Sequence, residues 1–186
     1  MFDLTGKVAL VTGVGSPAGI GFASAKLLAK AGAKIFITST TDRIFEREKH
    51  LKSLFGKDKV CSLAADLTEE DQVLNLSKTI IKKFNKIDIL VNNAGMVQIG
   101  NDQPSKKFIE HSLESWNYGI DINLKSTFLV TRNILPHLKK QKSGRIINIS
   151  SVTGPIVGIS GSTVYGSAKA AMLGLTRSLA IEEGKN

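Results

Sequence analysis

Tyr165 and Lys169 stand four residues apart in the run Tyr165-Gly166-Ser167-Ala168-Lys169, and Ser151 closes an apolar run fourteen residues earlier. Four residues is about one helical turn, so the phenol and the ammonium share one face of a helix. A neighbouring cation favours the ionised form of an acid, so Lys169 is expected to draw the Tyr165 phenol toward a working pKa. A phenol tuned in this way exchanges a proton with a substrate oxygen. The same pair also occurs in helices that only fold. Its meaning comes from the elements that hold it.

Those elements alternate. Short runs rich in Val, Ile and Leu occur at 7–12, 34–39, 59–64, 87–92 and 145–150. They lack polar alternation, as parallel strands covered on both faces do. Between them, helical patterns occupy 19–30, 42–55, 69–85 and a long stretch at 113–139, with a last helix at 162–183. Thr68, with Asp71 three residues on, is expected to cap the third helix, and Gly32 and Gly56 sit where helices should stop. Alternation of this kind predicts an α/β fold, an open doubly wound parallel sheet with helices on both faces. No repeat, linker or low-complexity tract interrupts 1–186, which reads as one domain.

The first run leads into Thr12-Gly13-Val14-Gly15-Ser16-Pro17-Ala18-Gly19-Ile20-Gly21 and then a helix. A glycine-rich turn between strand and helix lets backbone N–H groups approach a pyrophosphate, and the helix N-terminus adds a favourable dipole. A plain βα turn is the alternative. The strand before and the helix after favour dinucleotide binding.

Composition bounds the remaining classes. A chain of 186 residues with 42% hydrophobic and 22% charged content is sized for one well-buried soluble core. No apolar stretch approaches the roughly 20 residues that cross a bilayer, so no membrane association is expected. The opening Met1-Phe2-Asp3-Leu4-Thr5-Gly6-Lys7 lacks the pattern of a secretory signal. Cys61, the sole cysteine, excludes an intrachain disulfide, suits a reducing cytoplasm and reads as a small buried core residue. The net charge of +9 favours an anionic partner. Its lysines are scattered in small clusters without interleaved aromatics, which argues against nucleic acid. His50, His111 and His137 lack metal-ligand spacing, so no metal is expected.

Together, Thr12-Gly13…Gly19-Ile20-Gly21, Asn92-Asn93-Ala94-Gly95, Asn123, Ser151, Tyr165 and Lys169 make a pattern that resembles the short-chain dehydrogenase/reductase family. The likeness covers essentially the whole chain, and its motifs fall in order. The resemblance implies a Rossmann-like domain and hydride transfer between a nicotinamide cofactor and a carbonyl or secondary alcohol. Tyr165 would be the general acid or base, and Lys169 would lower its pKa and touch the nicotinamide ribose. Ser151 would hold the substrate oxygen, and Asn123 would position a water linking Lys169 to solvent. Ser150 is the competing serine, and strand alternation turns it away from Ser151. Gly13, Ser16, Gly19, Ile20 and Gly21 would line the phosphates. Asp66 and Leu67 would lie beside the adenine, and Asn93, Ala94 and Gly95 on the adenosine side, although Asn92 to Gly95 also suits a purely structural turn.

The family pattern puts Ser39 and Thr40 at the tip of the second strand. An acid there would bond a ribose 2′-OH and repel a 2′-phosphate. Hydroxyls with Arg43 nearby suit the phosphate, so NADP(H) is the expected cofactor, with NAD(H) open because Asp42 is close.

Within the family, Gly144-Arg145-Ile146-Ile147-Asn148-Ile149-Ser150-Ser151-Val152-Thr153-Gly154 is most similar to 3-oxoacyl-[acyl-carrier-protein] reductases of fatty acid biosynthesis. The substrate implied is a small molecule or an acyl-carrier-linked thioester, and Lys139, Lys140, Lys142 and Lys185 are candidates for attracting an acidic carrier. An NAD(H)-linked dehydrogenase of a sugar, polyol or steroid alcohol, and a nucleotide-binding scaffold without catalysis, are the rivals. Family helices pair between subunits, which implies a homodimer or homotetramer. Phe128, Leu129, Ile134, Met172, Leu175 and Leu179 are candidates for that face or for the internal core.

Two departures stand out. The glycine loop has five residues between Gly13 and Gly19 where the common form has three. Members of the family also continue through further strands and a substrate lid after the helix bearing Tyr165. The expectation is therefore a fragment of a longer enzyme, lacking C-terminal strands and with reduced or no activity.

Overall fold

In the computed structural model, residues 2–95 and 106–185 are described. Five parallel strands, β1 (Val8–Thr12), β2 (Lys34–Ser39), β3 (Val60–Ala64), β4 (Ile89–Asn92) and β5 (Arg145–Asn148), form one sheet in the order β3-β2-β1-β4-β5. The helices are α1 (Ile20–Lys30), α2 (Arg43–Phe55), α3 (Glu70–Phe84), α4 (Leu113–Ile120), α5 (Ser126–Gln141) and α6 (Thr163–Glu183). Strand order reverses between β1 and β4. In open α/β sheets the crevice outside the carboxyl ends of such strands is where ligands bind.

Successive strand residues point to opposite faces, and both faces are filled. Ala9, Val11, Ile35, Ile37 and Val91 pack with Phe22 and Ala25 of α1 and Ile44 and Leu51 of α2. Val8, Leu10, Phe36 and Leu90 pack with Val73, Leu76 and Ile80 of α3 and Leu129 and Ile134 of α5. Each Val, Leu, Ile or Phe among them, fully buried, stabilises the fold by about 1.5–3 kcal/mol. Two covered faces explain why β1, β2 and β4 carry no polar alternation, whereas β5 at the sheet edge is partly exposed.

Several polar groups inside this frame are paired across elements. Asp88, 5% exposed, accepts from the Val8 N–H at 2.9 Å and lies 3.0 Å from the Lys86 ammonium, pinning the amino ends of β1 and β4. The Asn92 amide donates to Thr131 of α5 at 2.9 Å and to Asn148 of β5 at 2.8 Å. Asn148 in turn donates to Thr176 of α6 at 2.9 Å, so one buried chain of hydrogen bonds fixes α5, β4, β5 and α6 relative to each other.

Several expectations change in detail. The long helix expected at 113–139 is α4, a π-helical segment Asp121–Lys125, and α5. Apolar periodicity does not distinguish an α turn from one widened π turn. Thr68 does not cap α3. Its N–H and hydroxyl both donate to Asp66, at 2.9 and 2.7 Å, and the residue before the helix is Glu69. Gly56 does end α2, at φ 104°, donating to the Lys52 carbonyl. Cys61 is half-buried against the α3 face, not enclosed in the core. Among the residues offered for a subunit face, Leu129, Ile134 and Met172 are buried internally, Leu175 and Leu179 are half-buried, and Phe128 is 44% exposed. Among the described residues, no helix is long and apolar enough to cross a membrane.

Candidate active site

The glycine turn is shaped by contact with the turn after β4. Gly13 adopts φ 70°, and a Cβ there would stand 2.8 Å from the Ala94 Cα and 2.9 Å from its N. At Gly21 a Cβ would meet the Asn93 amide nitrogen at 2.5 Å and the Gly13 carbonyl oxygen at 2.8 Å. The two turns are therefore pressed backbone to backbone, and only glycine fits. Asn93 spends its side-chain amide on the carbonyls of Thr12 and Gly13, at 3.0 and 3.1 Å. The Thr12 hydroxyl accepts from the N–H groups of Asn93 and Ala94, at 3.0 and 2.9 Å. The side chain of Asn93 thus builds the turn.

This packing leaves the start of α1 open. Gly19 provides no side-chain cap, and the N–H groups of Ile20, Gly21 and Phe22 have no acceptor among the described residues. Ile20 is 64% exposed at the mouth of the turn. The Gly19 N–H donates to the Ser16 carbonyl at 3.3 Å, closing the longer loop on itself. Free donors at a positive helix end, approached by a turn without side chains, fit the pyrophosphate of a dinucleotide. Replacing Gly13 with Ala is expected to weaken NADPH binding by over ~100-fold and to cost about 2–4 kcal/mol of stability, because the new methyl must part the two turns. Fluorescence titration and urea unfolding read the two effects.

At the tips of β2 and β3 the surface is polar. Gly15 runs beside Ser39, where a Cβ would lie 3.3 Å from the serine Cβ. The Ser39 hydroxyl donates to the Thr41 carbonyl and the Arg43 guanidinium to the Thr41 hydroxyl, each at 3.1 Å. Thr40, Asp42 and Arg43 are exposed. The Ala65 N–H bonds the Ser39 carbonyl at 3.0 Å, bringing Asp66 alongside. Leu67 is 6% exposed and belongs to the core, so only its backbone is available to a ligand.

The third group surrounds the first turns of α6. Lys169 is 2% exposed, and its ammonium donates to the Ile149 carbonyl at 2.8 Å. Burial holds its pKa below the ordinary lysine value. The same ammonium lies 5.8 Å from the centre of the Tyr165 ring, which is half-buried. Ser151 follows the end of β5, and its hydroxyl oxygen accepts from the Thr153 N–H at 3.1 Å. The Ser150 hydroxyl instead donates to the Lys169 carbonyl at 2.8 Å, so the two serines do diverge. Asn123 lies in the π segment, 1% exposed, donating to the Gly119 carbonyl at 3.0 Å. Among the described residues its Oδ1 is buried without a partner, 2.9 Å from where a Cβ on Gly95 would stand. A buried acceptor left open is costly, and π turns recur at functional sites. Gly119 in turn abuts Val164, the neighbour of Tyr165.

Gly13, Ser39, Thr40, Asp66, Leu67, Asn93 and Ser151 therefore lie at or just beyond the carboxyl ends of β1 to β5, whereas Asn123, Tyr165 and Lys169 are carried on the π segment and α6. Thr12, Gly95's contact with Asn123, Gly119 and Gly154 are the pieces that motif reading did not assign. Thr12 stood within the quoted motif, but only the fold shows what its hydroxyl holds.

A parallel sheet in this order, with a glycine turn at the strand reversal, defines the class of doubly wound Rossmann-like domains. The chain belongs to the short chain dehydrogenase family, which it matches over residues 7–186. It is 40% identical over 183 residues to the oxidoreductase UcpA of Salmonella typhimurium, covering 98% of this chain and 65% of that protein. It is 35% identical over 185 residues to the 3-oxoacyl-[acyl-carrier-protein] reductase FabG of Thermotoga maritima, covering 98% and 71%. Among solved structures, a metagenomic short-chain oxidoreductase in complex with NADP superposes with a TM-score of 0.84 at 30% identity, covering 96% of this chain and 77% of that one.

Proposed function

We propose that the protein is an NADP(H)-dependent oxidoreductase that interconverts a carbonyl and a secondary alcohol. The observation that carries this is the buried Lys169 ammonium beneath the Tyr165 ring, on the helix turn to which the segment after β5 is bonded through Ser150. A buried cation is expensive unless it serves something, and this one lies beside the phenol that would exchange the proton.

The glycine turn, the open α1 N-terminus and the polar tips of β2 and β3 would hold the dinucleotide. When bound, the nicotinamide supplies the hydride. The chain's own residues handle the oxygen. In the direction of reduction, Tyr165 gives its hydroxyl proton to the carbonyl oxygen. The Ser151 oxygen already accepts from Thr153, so its hydrogen remains to donate to that same oxygen as charge develops. Lys169 holds its side-chain nitrogen beside the phenol ring, and Asn123 would use its Oδ1 to position a water that links Lys169 to solvent.

A 3-oxoacyl thioester is the substrate we favour. It is supported by the Gly144–Gly154 segment and by the name of the Thermotoga relative, whereas UcpA is named only as an oxidoreductase. Arg43 and the hydroxyls at the β2 tip support NADP(H), as does the NADP-bound structural relative. The exposed Asp42 carboxylate favours the second reading, an NAD(H)-linked dehydrogenase of a sugar, polyol or steroid alcohol. Phe128, with Leu175 and Leu179, would join a second copy along α5 and α6 in a homodimer or homotetramer.

The test is nicotinamide absorbance with NADPH and NADH against acetoacetyl thioesters and against a sugar, polyol and steroid panel. Faster thioester reduction with NADPH than with NADH is expected. Turnover confined to NADH and polar alcohols would establish the second reading instead.

A further inference from the structure

β5 stops at Asn148, three residues short of Ser151, so the sheet ladder does not itself hold the serine. Contacts with α6 do. On one side of Ser151, the Ser150 hydroxyl donates to the Lys169 carbonyl at 2.8 Å. On the other, Gly154 at φ 95° lies directly on the α6 backbone at Gly166. A Cβ on Gly154 would stand 2.6 Å from the Gly166 carbonyl carbon and 2.8 Å from its Cα. Both surfaces are main chain, which cannot swing aside as a flexible side chain would.

Between these two contacts the segment closes on itself. Thr153 donates to Ser151, Gly154 to the Val157 carbonyl at 2.8 Å, and Val157 to the Val152 carbonyl at 3.0 Å. Thr153 is 8% exposed beneath it. The helix residues gripped are Lys169 itself and Gly166, the immediate neighbour of Tyr165. The contact is asymmetric. A Cβ on Gly166 would sit 3.4 Å from the Gly154 Cα, an ordinary packing distance.

We propose that Gly154, assisted by Ser150, is a positioning residue that seats the Ser151 segment on α6 and so sets the separation of the serine hydroxyl from the Tyr165 phenol. Neither residue gives a group to the chemistry. The kinetic consequence rests on the oxidoreductase reading, whereas the seat itself does not.

The experiment compares Gly154→Ala, Gly166→Ala, Ser150→Ala and Ser150→Thr, each by turnover, NADPH affinity, thermal unfolding and hydrogen exchange of the free protein. Gly154→Ala is expected to lower kcat by about 10²-fold, since small misplacements near the reacting atoms are that costly. Its NADPH Kd should stay within about threefold, because the phosphate turn is untouched. The amides of Thr153, Ile156 and Val157 should lose protection while β1 keeps its own. Gly166→Ala should retain turnover and exchange. Ser150→Ala should lower kcat about threefold to tenfold, the scale of one hydrogen bond, and Ser150→Thr should restore it.

A folded Gly154→Ala protein with parental kcat and unchanged exchange at 153–157 overturns the proposal. So does a loss that follows NADPH affinity. If Gly154→Ala does not fold, Ser150 decides: loss on Ala that Thr restores supports the seat, and no loss overturns it. Absence of NADPH binding by the parent protein counts against the oxidoreductase reading alone, and where the parent shows no turnover the exchange result decides the seat.

Discussion

Tyr165→Phe is expected to lower kcat by roughly 10³-fold, within the range that general acid catalysis contributes. The phenylalanine ring keeps its place above Lys169, 5.8 Å from the ammonium in the parent, so the change removes the proton and little else. A thousandfold loss corresponds to about 4 kcal/mol of transition-state stabilisation. NADPH affinity should be nearly unchanged, since the phosphate turn lies at the β1–β4 reversal and not on α6. Stopped-flow turnover with parallel fluorescence titration separates the two quantities. Full turnover in the Phe variant would remove Tyr165 from the chemistry.

Lys169→Met has the second largest expected effect, and it acts on two properties at once. Turnover should fall by about 10²-fold, because the phenol loses its neighbouring cation. Stability should respond with a defined sign. Burial lowers the Lys169 pKa, so the unfolded chain binds the proton more tightly than the folded one. The burial penalty is therefore fully present below the folded pKa, shrinks as pH rises through the window between the folded and the unfolded values, and vanishes above it. Methionine fills the same space without that penalty. The parent protein should gain stability relative to the variant as pH rises from neutral toward the ordinary lysine range. Urea unfolding of both proteins across that range checks the slope. A constant difference would mean that the Ile149 hydrogen bond fully offsets the desolvation of the ammonium.

The elements were legible because two covered sheet faces leave a plain signature. Val8 to Thr12 and Lys34 to Ser39 are apolar without alternation, and both form strands in parallel register. Tyr165 and Lys169 could be paired from spacing alone, since a helix fixes what lies one turn away. Other assignments needed distance relations that spacing does not encode. Asn123 was legible as an unusual helical residue, but not that a widened turn carries it or that its Oδ1 faces Gly95. Asn93 was placed near the nucleotide, yet its amide is committed to the carbonyls of Thr12 and Gly13. Thr68 had the type and position of a cap. It bonds Asp66 instead, because a short side chain can satisfy a local turn as readily as a helix end.

By itself, the order of residues determined the alternation of strands and helices, the glycine turn after β1 and the one-turn spacing of phenol and ammonium. These depend on local geometry and on the burial of neighbouring side chains. Tertiary structure alone decided that Lys169 is buried against the Ile149 carbonyl, that the turns at Gly13 and Ala94 meet main chain to main chain, and that Gly154 rests on Gly166. Each joins segments distant along the chain, and their meeting is set by how the helices close over the sheet, a global packing outcome with no local trace.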